Sequence, residues 1–152
     1  MDDERERIVE SLLGHRTVDL VTTGRRTGRA RSTEIWITPA FGRLFVAGSP
    51  NAMRDGVDRA PRDWLANLVA HPDLTLRLKR GVEAELSARA VRVDDPHLRR
   101  RFFSLGSTAF YRDAVSLEAA IERSPMVEVT FTGDDAWIGA ELERRMADDG
   151  RG

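Results

Sequence analysis

The stretch VDLVTTGRRTGRARSTEIWI, residues 18–37, decides the fold. Two runs rich in β-branched residues, Val18 to Thr23 and Ser32 to Pro39, read as strands. In the second, Ile35 and Ile37 alternate with Glu34, Trp36 and Thr38, the period of a half-buried strand. Between them the chain turns through a loop bounded by Gly24 and Gly28, so the two strands form a hairpin. That loop and its exit carry Arg25, Arg26, Arg29 and Arg31, and no carboxylate lies between Asp19 and Glu34.

Working outward, residues 3–14 predict an N-terminal helix with Ile8, Val9, Leu12 and Leu13 on one face and Gly14 at its end. Gly42 turns the chain into a third strand through Leu44, Phe45 and Val46, followed by a loop over residues 49–61 rich in Pro, Gly, Asp and Asn. Trp64, Leu65, Leu68 and Val69 have helical spacing, and His71-Pro72 ends that helix. Leu74, Leu76 and Leu78 alternate with Thr75, Arg77 and Lys79 in a fourth strand, and Gly81 leads into a fifth over residues 82–93. Residues 95–123 read as helical with a break near LGSTAFYRD, and PMVEVTF supplies a sixth strand. Beyond Gly133 the chain is a charged tail, about residues 134–152. Six strands with short turns and few intervening helices predict a mainly β, α+β protein: an antiparallel sheet or barrel with helices packed outside. The lack of strand–helix alternation argues against a doubly wound parallel sheet.

With 152 residues the chain fits one domain, spanning 1–152. A hydrophobic fraction of 41% and a charged fraction of 32% suit a globular protein with a real core. A net charge of −1 argues against general nucleic-acid affinity, so the arginine cluster is local and suited to a small anion. Lys79 is the only lysine, so abundant arginine alone says little about phosphate. The absence of cysteine removes disulfides, thiolate catalysis and cysteine-ligated metals. His15, His71 and His97 lack ligand spacing, and no G-x-S-x-G nucleophile elbow occurs. With an acidic, helical N-terminus and no apolar run long enough to span a bilayer, the chain reads as cytoplasmic.

The turn at Gly24 to Gly28 exposes backbone N–H groups beside guanidiniums, which are planar bidentate donors for phosphate or carboxylate oxygens. One reading is an anion cradle for a cofactor's phosphate tail. The other is a solvated hairpin tip whose charges protect a sheet edge. The segment is no Walker loop, because G-x-x-x-x-G-K-[ST] is absent. Ser49-Pro50-Asn51 follows the third strand where a loop meets a ligand, and Trp64 either covers a planar ring or packs in the core. Asn67, three residues on, shares its face and bonds either a ligand or a loop carbonyl. Arg99 to Arg101, behind Asp94 and Asp95, read as a solvated basic face after a helix N-terminus, with a minor second anion site as the alternative.

Four segments together carry a resemblance: DLVTTGRRTGRARSTEIWI, GRLFVAGSP, RDWLANLVAHPDLTLRLK and SPMVEVTF. In order and spacing they resemble the deazaflavin-dependent nitroreductase and quinone reductase family, from about Thr17 to Phe131. The resemblance implies a split β-barrel related to flavin-binding oxidases, and coenzyme F-420, an 8-hydroxy-5-deazaflavin with a phosphodiester and a polyglutamate tail. It implies that Arg25, Arg26, Thr27, Gly28 and Arg31 hold the phosphate, that Ala47, Gly48 and Ser49 line the ring, and that Trp64 stands beside it. The chain departs from the family pattern at Pro50, where many members have lysine, and at Leu65, where many have tyrosine.

The reaction implied is hydride transfer from reduced deazaflavin to a quinone, nitro compound or other small electron acceptor, with the cofactor performing the redox step. Tyr111, Ser49 or bulk water then delivers a proton. The alternatives are the same barrel holding flavin mononucleotide (FMN) or haem, and a non-catalytic carrier of a small apolar ligand such as a fatty acid. Barrels of this type often form homodimers, and peripheral membrane contact is compatible with the sequence.

Overall fold

A computed structural model describes residues 1–49, 63–113 and 115–148. Helix α1 (Asp3–Gly14) is capped by Asp2, whose side chain accepts from the Arg5 amide, and its first turn is acidic, as the helix dipole favours. Strands β1 (Thr17–Thr23), β2 (Ala30–Ala40) and β3 (Arg43–Ala47) follow, then helix α2 (Asp63–Ala70). Strands β4 (Asp73–Leu78) and β5 (Ala84–Arg92) lead to helix α3 (Pro96–Phe103), a 3-10 segment (Gly106–Arg112) and helix α4 (Leu117–Arg123). Strand β6 (Met126–Phe131), a short 3-10 turn (Gly133–Asp135) and helix α5 (Trp137–Asp148) complete the described chain.

The six strands close into an antiparallel barrel in the order β1-β2-β3-β6-β5-β4, with β4 pairing back onto β1. The opening hairpin is as the sequence predicts: Val18 pairs with Ile35 and Thr23 with Ala30 across the arginine loop. Between β2 and β3 the chain turns on two residues only. Phe41 (φ 55°) and Gly42 (φ 75°) both have positive φ, the backbone hand that matches strand twist in a two-residue hairpin. The Phe41 ring offsets that strain by packing edge-on to Phe45 and beneath the Arg101 guanidinium.

Alternation sends one face of each strand inward. Leu20, Ile37, Leu44, Val46, Leu76, Leu78, Leu86 and Val127 are buried in the barrel, and each such side chain contributes roughly 1.5–3 kcal/mol of burial. Ile8, Val9 and Leu12 of α1, with Ile138, Leu142 and Met146 of α5, join this core, as do Trp64, Leu65 and Leu68 of α2. A second cluster lies outside the barrel wall, where Phe45, Ala47 and Met126 meet Phe102, Phe103, Tyr111 and Ile121.

Several expectations change. The segment read as a charged tail is mostly helix α5, and its Ile138, Leu142 and Met146 are buried. Its charges obscure this period: Arg145 bridges Glu141 and, on α1, Glu6, which fixes the two helices together. Val69 has helical spacing with the core residues of α2 but stays 61% exposed, because the helix is one residue from its end. The predicted loop at 49–61 falls, apart from Ser49, outside the described residues. No helix among the described residues is long and apolar enough to cross a membrane.

The basic face expected at Arg99 to Arg101 is not solvated as a unit. Arg99 is buried at 8% exposure, and its guanidinium donates to the carbonyls of Ile121 (2.6 Å), Ser124 (2.6 Å) and Val93 (2.9 Å). It thereby caps the C-terminal carbonyls of α4, which otherwise end unpaired. Burial pushes its pKa down from the usual arginine value. Arg100 pairs with Glu118 and Arg101 lies over Phe41, so the second anion site has no support there. Replacing Arg99 with methionine strips donors from those carbonyls. We expect a loss of about 3 kcal/mol or more in urea unfolding, and a smaller loss for Arg99→Lys, which restores one cationic donor. A loss under about 1 kcal/mol in Arg99→Met would show that water caps α4 equally well.

Candidate functional site

The loop between β1 and β2 is built by its own backbone. The Gly24 amide donates to the Arg29 carbonyl (2.8 Å), and the Gly28 amide donates back to the Gly24 carbonyl (2.9 Å). Thr27 Oγ1 accepts from the Arg29 amide (3.2 Å). Gly24 is required here, since a Cβ would sit 2.7 Å from Thr27 Oγ1 and 3.3 Å from the Arg29 carbonyl oxygen. The loop is then fastened to α2. The Arg25 amide donates to Asn67 Oδ1 (3.0 Å), and Asn67 Nδ2 donates to Thr22 Oγ1 (3.3 Å). Asn67 is 3% exposed, so this clamp is dry and worth more than a surface contact. Asn67 thus bonds a loop amide where the sequence left open a ligand or a loop carbonyl.

Gly24, Arg25, Arg26, Thr27, Arg31 and Asn67 line a recess of about 190 Å³. Arg26, Arg29 and Arg31 are exposed and make no ion pair among the described residues. Gly28 shapes the turn without lining the recess. Other exposed charges of the barrel are mutually neutralised. Asp19 and Glu34 stand directly opposite each other on β1 and β2, and Lys79 bridges them at 2.8 and 2.5 Å. These two hydrogen bonds hold the Lys79 ammonium above its ordinary pKa. The contrast sets Arg26, Arg29 and Arg31 apart as cations without an ion pair among the described residues.

A second cleft, of about 280 Å³, opens beside it. Ala47, Gly48 and Ser49 form one margin, at the end of β3, and Trp64 another. Trp36, Phe110 and Tyr111 complete the aromatic lining. Trp64 is 5% exposed and belongs to the core, which is one of the two readings of it, and it also lines the cleft. Helix α2 carries Trp64 to the cleft and Asn67 to the arginine recess, and β2 runs past both with Arg31 and Trp36. Tyr111 is buried, and its hydroxyl donates to the Ala47 carbonyl at 3.0 Å. Pro50, the expected departure from the family pattern, lies outside the described residues, while Leu65 is core.

Sequence reasoning missed Trp36 and Phe110. Trp36 is 46% exposed and packs edge-on against Phe110, with ring centroids 5.1 Å apart. A large aromatic on the polar side of an alternating strand was the signal. Phe110 carried none, because a 3-10 segment has no long period to betray its exposed face.

Comparisons with known proteins follow from this geometry. Residues 2–118 match the family described as F420H(2)-dependent quinone reductase. Among solved structures, a conserved hypothetical protein of Mycobacterium tuberculosis is similar with a TM-score of 0.60 at 16% identity, covering 88% of this chain and 82% of that one. A putative pyridoxamine 5'-phosphate oxidase from Listeria innocua gives 0.59 at 11% identity, over 84% and 93% of the two chains. An F420 reductase gives 0.54 at 17% identity, over 82% and 93%. No curated protein matches the chain. At such identities the likeness concerns architecture, and it shows the fold to be the split β-barrel.

The clamp is open to test. Asn67→Ala removes both bonds and leaves the Arg25 amide and Thr22 hydroxyl without their partner, so stability falls by about 1–3 kcal/mol. Hydrogen exchange at the Arg25 amide accelerates by at least tenfold. In Asn67→Asp the acceptor survives, the Thr22 hydroxyl can rotate to donate, and protection largely returns. Equal exchange in Asn67→Ala and the parent would mean the loop holds itself.

Proposed function

Because the chain belongs to the F420H(2)-dependent quinone reductase family, we propose that it is an F-420-dependent oxidoreductase that passes a hydride from the reduced deazaflavin to a quinone, nitro compound or other small electrophile. The observation that carries this reading is the exposed arginine loop lining a recess, fastened by Asn67 to the helix that also places Trp64 at an aromatic cleft.

The donor set suits such a cofactor. A phosphodiester and a polyglutamate tail need several cations in a concave place, and Arg25, Arg26, Thr27 and Arg31 line the recess, while Gly28 shapes the turn that presents them. A flat heterocycle needs apolar planes and a few polar groups at its edge. Ala47, Gly48, Ser49, Trp64 and Trp36 supply these at the cleft. Bound there, the deazaflavin supplies the hydride chemistry. The protein orients the two reactants and keeps water from them, which lowers the barrier without a catalytic residue at the reacting carbon.

The acceptor oxygen still needs a proton. We assign its delivery to Ser49, whose hydroxyl lies at the cleft margin with no described partner, so it can relay from solvent. Tyr111, the other candidate, already commits its proton to the Ala47 carbonyl and so positions the strand end that faces the ring. Metal assistance has no described support, since no group of three acidic or histidine side chains converges among the described residues.

Two experiments test the proposal. Titration with F-420, followed by tryptophan fluorescence, should show affinity weakened by about 100-fold or more in the Arg26→Ala, Arg31→Ala double variant, as two charge-assisted contacts are lost. The same deazaflavin without its phosphate tail should bind both proteins equally; unchanged affinity for the full cofactor removes the cradle. In turnover, Ser49→Ala should lower kcat by about 10²-fold with cofactor affinity retained. Tyr111→Phe should cost mainly stability, by roughly 0.5–1.5 kcal/mol. The reverse pattern would reassign the proton to Tyr111.

A further inference from the structure

A cavity apart from the cleft at Trp64 measures about 450 Å³ and lies between the end of α1, the second half of β2 and the 3-10 segment. It runs on from the redox cleft along one strand face. Trp36 lines the cleft, and Thr38 and Ala40, two and four residues on and therefore on the same outward side of β2, line the cavity. Likewise Phe110 of the 3-10 segment faces the cleft and Ser107 the cavity.

Arg16 stands between the two. Its guanidinium carbon lies 5.9 Å from the Trp36 ring centroid and 5.7 Å from that of Phe110, and Nη2 donates to the Ser107 carbonyl at 3.0 Å. Only that one of its five N–H donors is used among the described residues, which leaves four for a ligand. His15, its neighbour in sequence, sets its ring against Gly81, and Arg16 has no carboxylate partner among the described residues. The remaining walls are largely apolar, with Leu12, Leu13, Phe41 and Leu105, and none of the lining residues is acidic.

A pocket of apolar walls with one guanidinium at its margin and no compensating carboxylate is complementary to a ligand of the opposite design. We propose that this cavity is a second binding site, separate from the redox cleft, for a compact apolar monoanion such as an aryl carboxylate. The carboxylate is held by the free donors of Arg16, and the hydrophobic body lies against Leu13, Phe41 and Leu105. An aromatic body suits the place better than a polar one, since buried apolar contact supplies most of the affinity and the charge supplies orientation. Charge-assisted contact to guanidinium then discriminates the acid from its neutral analogue.

The test needs no cofactor and therefore stands apart from the redox reading. The protein has three tryptophans, which report on three places: Trp36 beside Arg16, Trp64 at the cleft, and Trp137 beneath Arg5. ¹⁵N-labelled protein is titrated with 1-naphthoate and, separately, with 1-naphthalenemethanol, while the three indole N–H resonances are followed. The expected result is saturable movement of the Trp36 signal alone, with naphthoate at least tenfold tighter than the alcohol. Arg16→Gln abolishes that preference, and the neutral analogue binds the variant as it binds the parent. Leu13→Glu, which adds an opposing charge to the apolar wall, weakens naphthoate without needing Arg16 altered. Three results overturn the proposal: no saturable shift, equal affinity for acid and alcohol in the parent, or joint movement of Trp36 and Trp64, which would place the ligand in the redox cleft.

Discussion

The clamp between the Arg25 amide and the Asn67 side chain is the contact on which the candidate site depends. A loop holding several like charges has no reason to lie against the protein, because each guanidinium is best solvated when it points away. One neutral, buried amide resolves this by accepting from the Arg25 backbone amide, and at 3.5 Å from its guanidinium, while Arg26, Arg29 and Arg31 stay exposed. The same amide reaches Thr22 of the preceding strand, so loop, strand and helix are pinned at one point. Since α2 also places Trp64, a shift of the loop and a shift of the aromatic cleft are mechanically one event.

Electrostatics explains why the cluster is tolerable when empty. Two unit charges 4 Å apart in water interact by only about 1 kcal/mol, and salt reduces this further. Exposed arginines therefore cost little together, yet each gains once an anion excludes water between them. At the Asp19–Lys79–Glu34 bridge the fold does cancel its charges, where two carboxylates facing each other across strands would otherwise repel. Placement decides an arginine's role more than its type. Arg99 is buried and completes α4 through carbonyls, Arg145 joins two helices through carboxylates, and Arg26 and Arg31 are left open.

Much of the barrel was legible because its signal is local. Period-two alternation in β2 and β4 and the arginine loop's glycines point to strands and a turn without knowledge of their neighbours. Helix α1 was equally plain, with an Asp cap, an acidic first turn and an apolar face. Helix α5 was not, since four of its charged residues lie within five positions of each other and mask Ile138, Leu142 and Met146 at their four-residue spacing. Arg99 could not be foreseen either, because its acceptors come from residues 93 and 120–124, a separation no local pattern encodes. The site divided similarly: the arginine loop was visible as a run of residues, whereas Trp36 and Phe110 become neighbours only through the path of the 3-10 segment.

The positions of Tyr111 and Trp64 show how a small barrel can build an aromatic cleft with so few polar groups. Both residues belong to packed clusters, and both also border the cleft, so the wall of the site is the outer layer of the core. A side chain held by core packing keeps its rotamer without hydrogen bonds of its own, and interiors resist deformation. Rigidity at the cleft then follows from hydrophobic burial that folding requires in any case. The polar residues are left free for the one task burial cannot do, which is to recognise charge. That division places cations on a loop clamped from beneath and apolar planes on the core, and it matches the two-part chemistry of a flat, anionically tethered ligand.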